Sequence, residues 1–153
     1  MADVVKATMN LYESLSASLF PGSSRPAIYL DMAPQVASGS QIRPPYVILR
    51  DQGRVPEYFS SFGGIEGGGL VLEVYHNDLG TADSIVSAIK YGGGTPSQRL
   101  GLDFGTLTLT TPLSHVVLKR TNERRYTSSG PDLTGKYVYV VELTYRVVVG
   151  LSA

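Results

Sequence analysis

The sequence predicts an α+β fold, with two helices packed on one face of a largely antiparallel β-sheet and a long C-terminal β-hairpin. Three observations carry that prediction. From Lys136 to Gly150 the chain is almost uninterrupted β-forming sequence, with Tyr137, Tyr139, Val141, Leu143, Tyr145, Val147 and Val149 on one face at period two. Two other stretches carry apolar residues at three- and four-residue spacing, the pattern of helices with one buried stripe. The elements come in the order helix, two strands, loop, strand, helix and then a β-rich half. No internal repeat or dividing linker interrupts them, so residues 1–153 read as a single domain.

The first helix is expected from Asp3, a suitable N-cap, to about Leu19. Val5, Met9, Tyr12, Leu15 and Leu19 form its stripe, and Pro21 with Gly22 ends it. Ala27–Met32 is a short strand, followed by a loop from Ala33 to Pro45 rich in Pro, Ser and Gly. Tyr46–Asp51 is a second strand, entered through Pro44 and Pro45, which suit a strand start because they cannot donate to a ladder. Gln52–Gly69 is expected as a long connection. In the strand Leu70–His76, Leu70, Leu72 and Val74 alternate with Val71, Glu73 and Tyr75.

Asn77, Asp78 and Thr81 offer N-caps for a second helix reaching about Lys90, with Leu79, Ala82, Ile85, Val86 and Ile89 as its stripe and Gly92–Gly94 as its stop. Gly105–Thr111 alternates Leu107 and Leu109 with threonines, and Ser114–Arg125 is a strand that turns very polar from Lys119. Thr127–Gly135 is turn chemistry throughout and lets the last two strands pair as an antiparallel hairpin. At ~3.3 Å per residue the final strand would reach roughly 45 Å, against a usual ~17–20 Å. Its inner end is therefore expected to complete the core sheet and its outer end to reach the next subunit.

Composition narrows the function. Lys plus Arg and Asp plus Glu are both 13, so the net charge is zero, which argues against attachment to nucleic acid or anionic membrane by bulk charge. Cysteine is absent, which removes disulfides and thiolate chemistry. No apolar run approaches ~18 residues, so no membrane partner is expected. Asp3 stands where a signal peptide would want basic residues, an expectation against secretion by that route.

No catalytic constellation is visible, and neither an enzyme activity nor a cofactor or metal is expected. His76 ends a strand beside Asn77 and Asp78, but no second His or Cys lies at a zinc-site spacing, and His115 opens an apolar strand. No serine sits in a nucleophile elbow. Gly67–Gly69 leads into a strand and Gly92–Gly94 follows a helix, the wrong contexts for a phosphate loop, so both are expected as loop hinges.

Two clusters stand out instead. Lys119, Arg120, Arg124 and Arg125 with Tyr126 form a basic patch that suits a solvated hairpin end or an ion-pairing interface better than nucleic acid. Tyr58, Phe59, Phe62 and Ile65 lie among glycines and serines in the long connection. They either fold back over a core edge or dock into a neighbouring subunit, where aromatics are enriched. Tyr58, Phe59, Phe62, Ile65, Arg120, Arg124, Arg125 and Tyr126, with Tyr137 and Tyr139 of the long strand, make up the candidate interface.

The arrangement has a counterpart. An N-terminal amphipathic helix is followed by Ile28-Tyr29, Ala33-Pro34-Gln35 and Pro44-Pro45-Tyr46-Val47-Ile48. Then come a glycine-containing loop with Tyr58, the strand-into-helix segment from Leu70 to Tyr75 and Thr81 to Ile85, Glu123 to Tyr126, a Gly-Pro-Asp loop and the long Tyr137–Arg146 strand. Over most of the chain this resembles the tail completion, or tail terminator, proteins of long-tailed bacteriophages; Tyr91–Leu102 falls outside the pattern.

The resemblance implies a non-enzymatic structural protein of the virion, assembled in the host cytoplasm. It would form a ring, typically of six copies, at the head-proximal end of the tail tube. Its implied partners are itself, the major tail tube protein and the connector or stopper proteins of the neck, with DNA passing through the lumen without sequence recognition. The alternatives are another neck component and, from a different class, a small-molecule or carbohydrate-binding domain with tyrosines lining a pocket.

Overall fold

The computed structural model describes residues 2–33, 44–60, 63–92, 101–103, 107, 113–127 and 135–152, and within them the side chains of 4–33, 44–53, 64–92, 101–103, 107, 118–127 and 135–150. Helix α1 spans Ala2–Ser14 and α2 spans Leu79–Tyr91; the strands are β1 (Ala27–Leu30), β2 (Tyr46–Ser60), β3 (Gly63–His76), β4 (Leu113–Thr127) and β5 (Tyr139–Ser152). They form one sheet in the order β1-β2-β3-β5-β4. Only the β1–β2 pair is parallel, and every other pair is antiparallel. The fold is α+β, as the sequence predicts.

The helices and one sheet face share a single core. Val4, Val5, Ala7 and Tyr12 of α1 and Ala82, Ile85, Val86 and Ile89 of α2 cluster with the alternate strand residues Val47, Leu49, Leu70, Leu72, Val74, Val141, Leu143, Tyr145, Val147 and Val149. α2 lies over β3 and β5. Its N-terminus is held by Asp78, whose carboxylate accepts from the Thr81 backbone N–H at 2.8 Å and from the Thr81 hydroxyl at 2.6 Å. Its end is set by Gly92 at φ 73°, a left-handed conformation that glycine adopts without a Cβ clash. Leu79, expected in the buried stripe, stands at the helix start and is 38% exposed.

α1 is shorter than expected. It starts at Ala2, so Asp3 lies within it, and it ends at Ser14; Leu19 belongs to a separate 3₁₀ turn, Ala17–Leu19. The chain turns here so that the buried Tyr12 can pack edge-on against Phe20, ring centroids 5.9 Å apart, and donate to the Pro26 carbonyl at 2.6 Å.

The larger correction concerns Gln52–Gly69. This segment is the outer half of a β2–β3 hairpin, paired from Arg54 with Gly68 to Ser60 with Gly63. Gly67–Gly69 are therefore strand residues and not loop hinges. Glycine has low strand propensity, but tertiary pairing overrides it: β3 is bonded on both sides, with Gly67, Gly68 and Gly69 opposite Val148, Val147 and Arg146 of β5. Register shifts after Asp51 and after Pro56 absorb residues that do not fit the ladder, as bulges do.

β5 completes the core sheet at its inner end, as expected, and its outer end lies in the same sheet. It pairs with β3 from Tyr139 to Ser152 and with β4 from Tyr139 to Leu151, so it is an interior strand along its length. The expectation for Gly105–Thr111 falls outside the described residues except for the buried Leu107.

Residues 101–103 close the end of α2. The backbone N–H groups of Gly101, Leu102 and Asp103 donate to the carbonyls of Tyr91, Ile89 and Lys90 at 3.0, 2.8 and 3.0 Å, satisfying acceptors that a helix C-terminus leaves open. A Cβ on Gly101 would lie 2.5 Å from the Lys90 carbonyl, so only glycine fits. The same turn places Asp103 to accept from the Tyr145 hydroxyl at 2.7 Å. Burial first, then this bond and the Asp103 charge, push the Tyr145 pKa far above the ordinary 10.0.

Two outcomes follow from this corner of the molecule. Gly101→Ala is expected to destabilise the fold by about 1–3 kcal/mol through overpacking, measured as a lower urea midpoint at unchanged slope; a midpoint equal to wild type would show that the turn can move away from α2. A raised tyrosine pKa keeps the folded chain protonated while the unfolded chain ionises. The associated stability is thus complete below pH ~10 and falls as pH rises beyond it. Tyr145→Phe should make that alkaline decline shallower in urea titrations between about pH 8 and 11, and an unchanged slope would remove Tyr145 from its cause.

Candidate assembly surface

The polar half of β4 is sorted by register. Arg120, Glu123 and Arg125 pair with Tyr145, Leu143 and Val141, whose side chains enter the core, so they lie on the helix-bearing face; Arg124 and Tyr126 pair with Glu142 and Val140 and lie on the other. A register shift between Arg120 and Asn122 makes this division possible.

On the helix side the charges are joined. Arg120 reaches Asp103 at 3.0 Å and Glu123 at 3.8 Å, Lys90 donates to Glu123 at 3.1 Å, and Arg125 reaches Asp83 of α2 at 2.8 Å and Glu123 at 3.6 Å. The Arg125–Asp83 pair is half exposed and worth roughly 0–1 kcal/mol. Lys90 with Glu123 is more enclosed, and the Lys90 ammonium also lies 5.0 Å from the Tyr91 ring centre. Part of the basic patch is thus an intramolecular tie between β4 and α2.

The helix-free face is built around one buried carboxylate. Glu73 is 5% exposed; it accepts from Arg50 Nε and from the Tyr75 hydroxyl at 2.5 Å, with the Tyr126 hydroxyl at 3.5 Å. These partners are what make a buried charge tolerable. The bond to Glu73 raises the Arg50 pKa, and burial followed by the same carboxylate raises that of Tyr75. Burial and then the Glu73 charge also raise Tyr46 and Tyr126.

Tyr46 stacks on Tyr75 with centroids 4.7 Å apart and meets Tyr29 edge-on at 6.3 Å, an aromatic row over β1, β2 and β3. Arg124 pairs with Glu142 at 3.1 Å and lies 5.0 Å from the Tyr126 ring centre.

The sequence-derived interface residues separate into two groups. Tyr58 and Phe59 on β2 pair with Ile65 and Gly64 of β3 at the far end of the sheet, where Ile65 is 39% exposed. The side chains of Tyr58 and Phe59, and all of Phe62, lie outside the described residues. Tyr126, Tyr137 and Tyr139 belong to the near end. Tyr139 pairs with His76 and Thr127, and Tyr137, more than half exposed, accepts from Asn77 Nδ2 at 3.0 Å through its carbonyl. Eleven steps along β3 from Ile65 to His76 put the groups roughly 35 Å apart. Arg120, Arg124 and Arg125 lie between them, on both faces.

The sequence offered little warning of the Glu73–Arg50 pair on one face or of the Asp103–Tyr145 bond on the other. The one signal was Glu73 standing alone in an otherwise apolar strand. His76 Nδ1 accepts from the Asp78 N–H at 2.8 Å, and burial lowers its pKa against the opposing charge of Asp78. Among the described residues, no three His, Cys, Asp or Glu side chains gather as a metal site, and no helix is long and apolar enough to cross a membrane.

No protein-family model matches the sequence, and no curated protein matches it. Among solved structures, the fold is similar to that of a chain in the virion of a native gene transfer agent particle, with a TM-score of 0.64 at 14% identity, over 97% of this chain and 96% of that one. At that identity the likeness is one of fold, and it extends end to end.

Proposed function

We propose that this chain is a structural virion protein that forms a ring at the head-proximal end of a phage tail tube. It ends tube polymerisation, joins the tail to the neck and lets DNA pass, without enzymatic activity. The observation that carries this reading is the pair of sheet edges. β2, β3, β5 and β4 alternate in direction, so β2 and β4 run antiparallel to each other, and among the described residues β4 is an edge strand. β1 covers only Tyr46–Leu49, leaving the outer half of β2 as an edge among the described residues. The β4 of one copy can therefore add to the β2 of the next and continue an antiparallel sheet.

Such a contact is heterologous, and heterologous contacts close into rings or run on as fibres. Closure uses up edges that would otherwise be a liability. The fold shared with a chain of a gene transfer agent virion supports placement in a virion. The resemblance in element order supports the tail end of it, with about six copies the number that resemblance implies.

Mass measurement of the purified chain, alone and with tail-tube protein, tests the ring. Closed rings are expected in at least one condition, and a chain that stays monomeric in both sinks the reading. Imaging tails made without heads separates a terminator from a stopper: this chain should sit on the tail end, and its presence on heads alone would favour the stopper. Tyr58→Ala with Phe59→Ala is expected to weaken assembly about tenfold or more, the loss of aromatic anchors at a contact, with an unchanged circular dichroism spectrum. Unfolding of that variant would assign these rings to the core.

A further inference from the structure

The charges of the sheet are divided in a way the zero net charge hides. On the helix side, Lys90, Arg120 and Arg125 meet Asp83, Asp103 and Glu123. On the helix-free face the described charged side chains of β2–β5 are Arg50, Lys119, Arg124 and Arg146 against Glu73 and Glu142. The two sets are unequally accessible. The side chains of Arg50 and Arg124 are 47% and 60% exposed, those of Glu73 and Glu142 only 7% and 18%. Lys119 and Arg146 are both exposed. Among the described residues, the face that water meets is therefore basic, with its carboxylates sunk beneath the cations they attract.

Lys119 and Arg146 are directly opposed across the β4–β5 ladder. Side chains so placed have Cβ atoms about 4.5–5.5 Å apart, and like charges at that spacing repel. Beside Arg146 on the same row is Gly69, and two residues along is Gly67, so on β3 no side chain rises from this face there. The Gln52 amide covers Gly69 so closely that a Cβ on it would collide. The result is a shallow basic shelf, open to a large polyanion.

We propose that the helix-free face is the one that contacts DNA, through sequence-independent phosphate contacts from Lys119 and Arg146, assisted by Arg50 and Arg124. The assignment of this face to the inside of the ring rests on the proposed function; the affinity of the face for duplex DNA does not. Phosphate contacts of this kind carry no sequence information and weaken steeply with salt. A few cations on a neutral protein let the duplex slide where a strongly basic lining would hold it.

Fluorescence anisotropy of the full chain with two unrelated ~20-bp duplexes, between about 20 and 200 mM salt, tests this. Both duplexes are expected to bind alike and weakly, with affinity falling as salt rises. Lys119→Gln with Arg146→Gln should reduce the slope of log affinity against log salt by roughly 1–2, while Arg125→Gln on the helix side leaves it unchanged. If the double variant alters the circular dichroism spectrum, Arg146→Gln alone should give about half the effect. No binding at the lowest salt, an equal loss in Arg125→Gln, or a tenfold preference for one duplex overturns the inference.

Light scattering on the same samples separates the two claims. Rings that do not bind DNA overturn the face assignment and leave the ring standing. A chain that binds through Lys119 and Arg146 but stays monomeric upholds the face and counts against the ring.

Discussion

Double-sided pairing of β5 is the constraint on which the other elements depend. Its odd-numbered residues from Val141 to Val149 are fully buried under the helices, while its backbone bonds to β3 on one side and β4 on the other. Burial of this row supplies apolar contact that the glycines of β3 cannot. Backbone pairing then fixes β3 in register, and β3 fixes β2. The same ladder places Glu142 against Arg124 and Tyr145 against Arg120, so the ion pairs to α2 and Asp103 are consequences of the register. A one-residue slip would exchange the two faces and expose the whole buried row.

Much of this architecture was legible because period and capping chemistry are local. The alternation from Tyr139 to Val149 and the Asp78–Thr81 cap each lie within a few residues, and both stand in the fold where the sequence puts them. The Gln52–Gly69 segment was not legible for a physical reason. Six glycines, a proline and two register shifts erase the local signal of a strand, and what makes its β3 half one is pairing with residues about eighty positions later. The basic patch was visible as composition, but its division between faces depends on the shift between Arg120 and Asn122. The Glu73 cluster joins β2, β3 and β4, and no sequence window spans them.

The two faces treat polar groups differently. On the helix side, charged groups tie one element to another, as Arg125 ties β4 to α2. On the other side, the buried Glu73 draws Arg50, Tyr75 and Tyr126 into one cluster and leaves cations outermost. Although the net charge of the sequence is zero, the described charged side chains are thus divided unevenly across the thickness of one sheet. Net charge governs solubility and bulk attraction; it says little about a surface a few residues wide.

The run Gly67–Gly69 gives the sheet a band of low bending stiffness. Three consecutive residues of an interior strand put no side chain on either face, so there is no steric stop to coiling at that level. Towards His76 the sheet is backed by most of the core cluster; towards Gly63, beyond Val149, it continues as a four-stranded blade. The blade can take up a curvature set by whatever it joins, while the helix-backed half keeps its own shape. The two halves of the sheet can therefore differ in curvature without repacking of the interior.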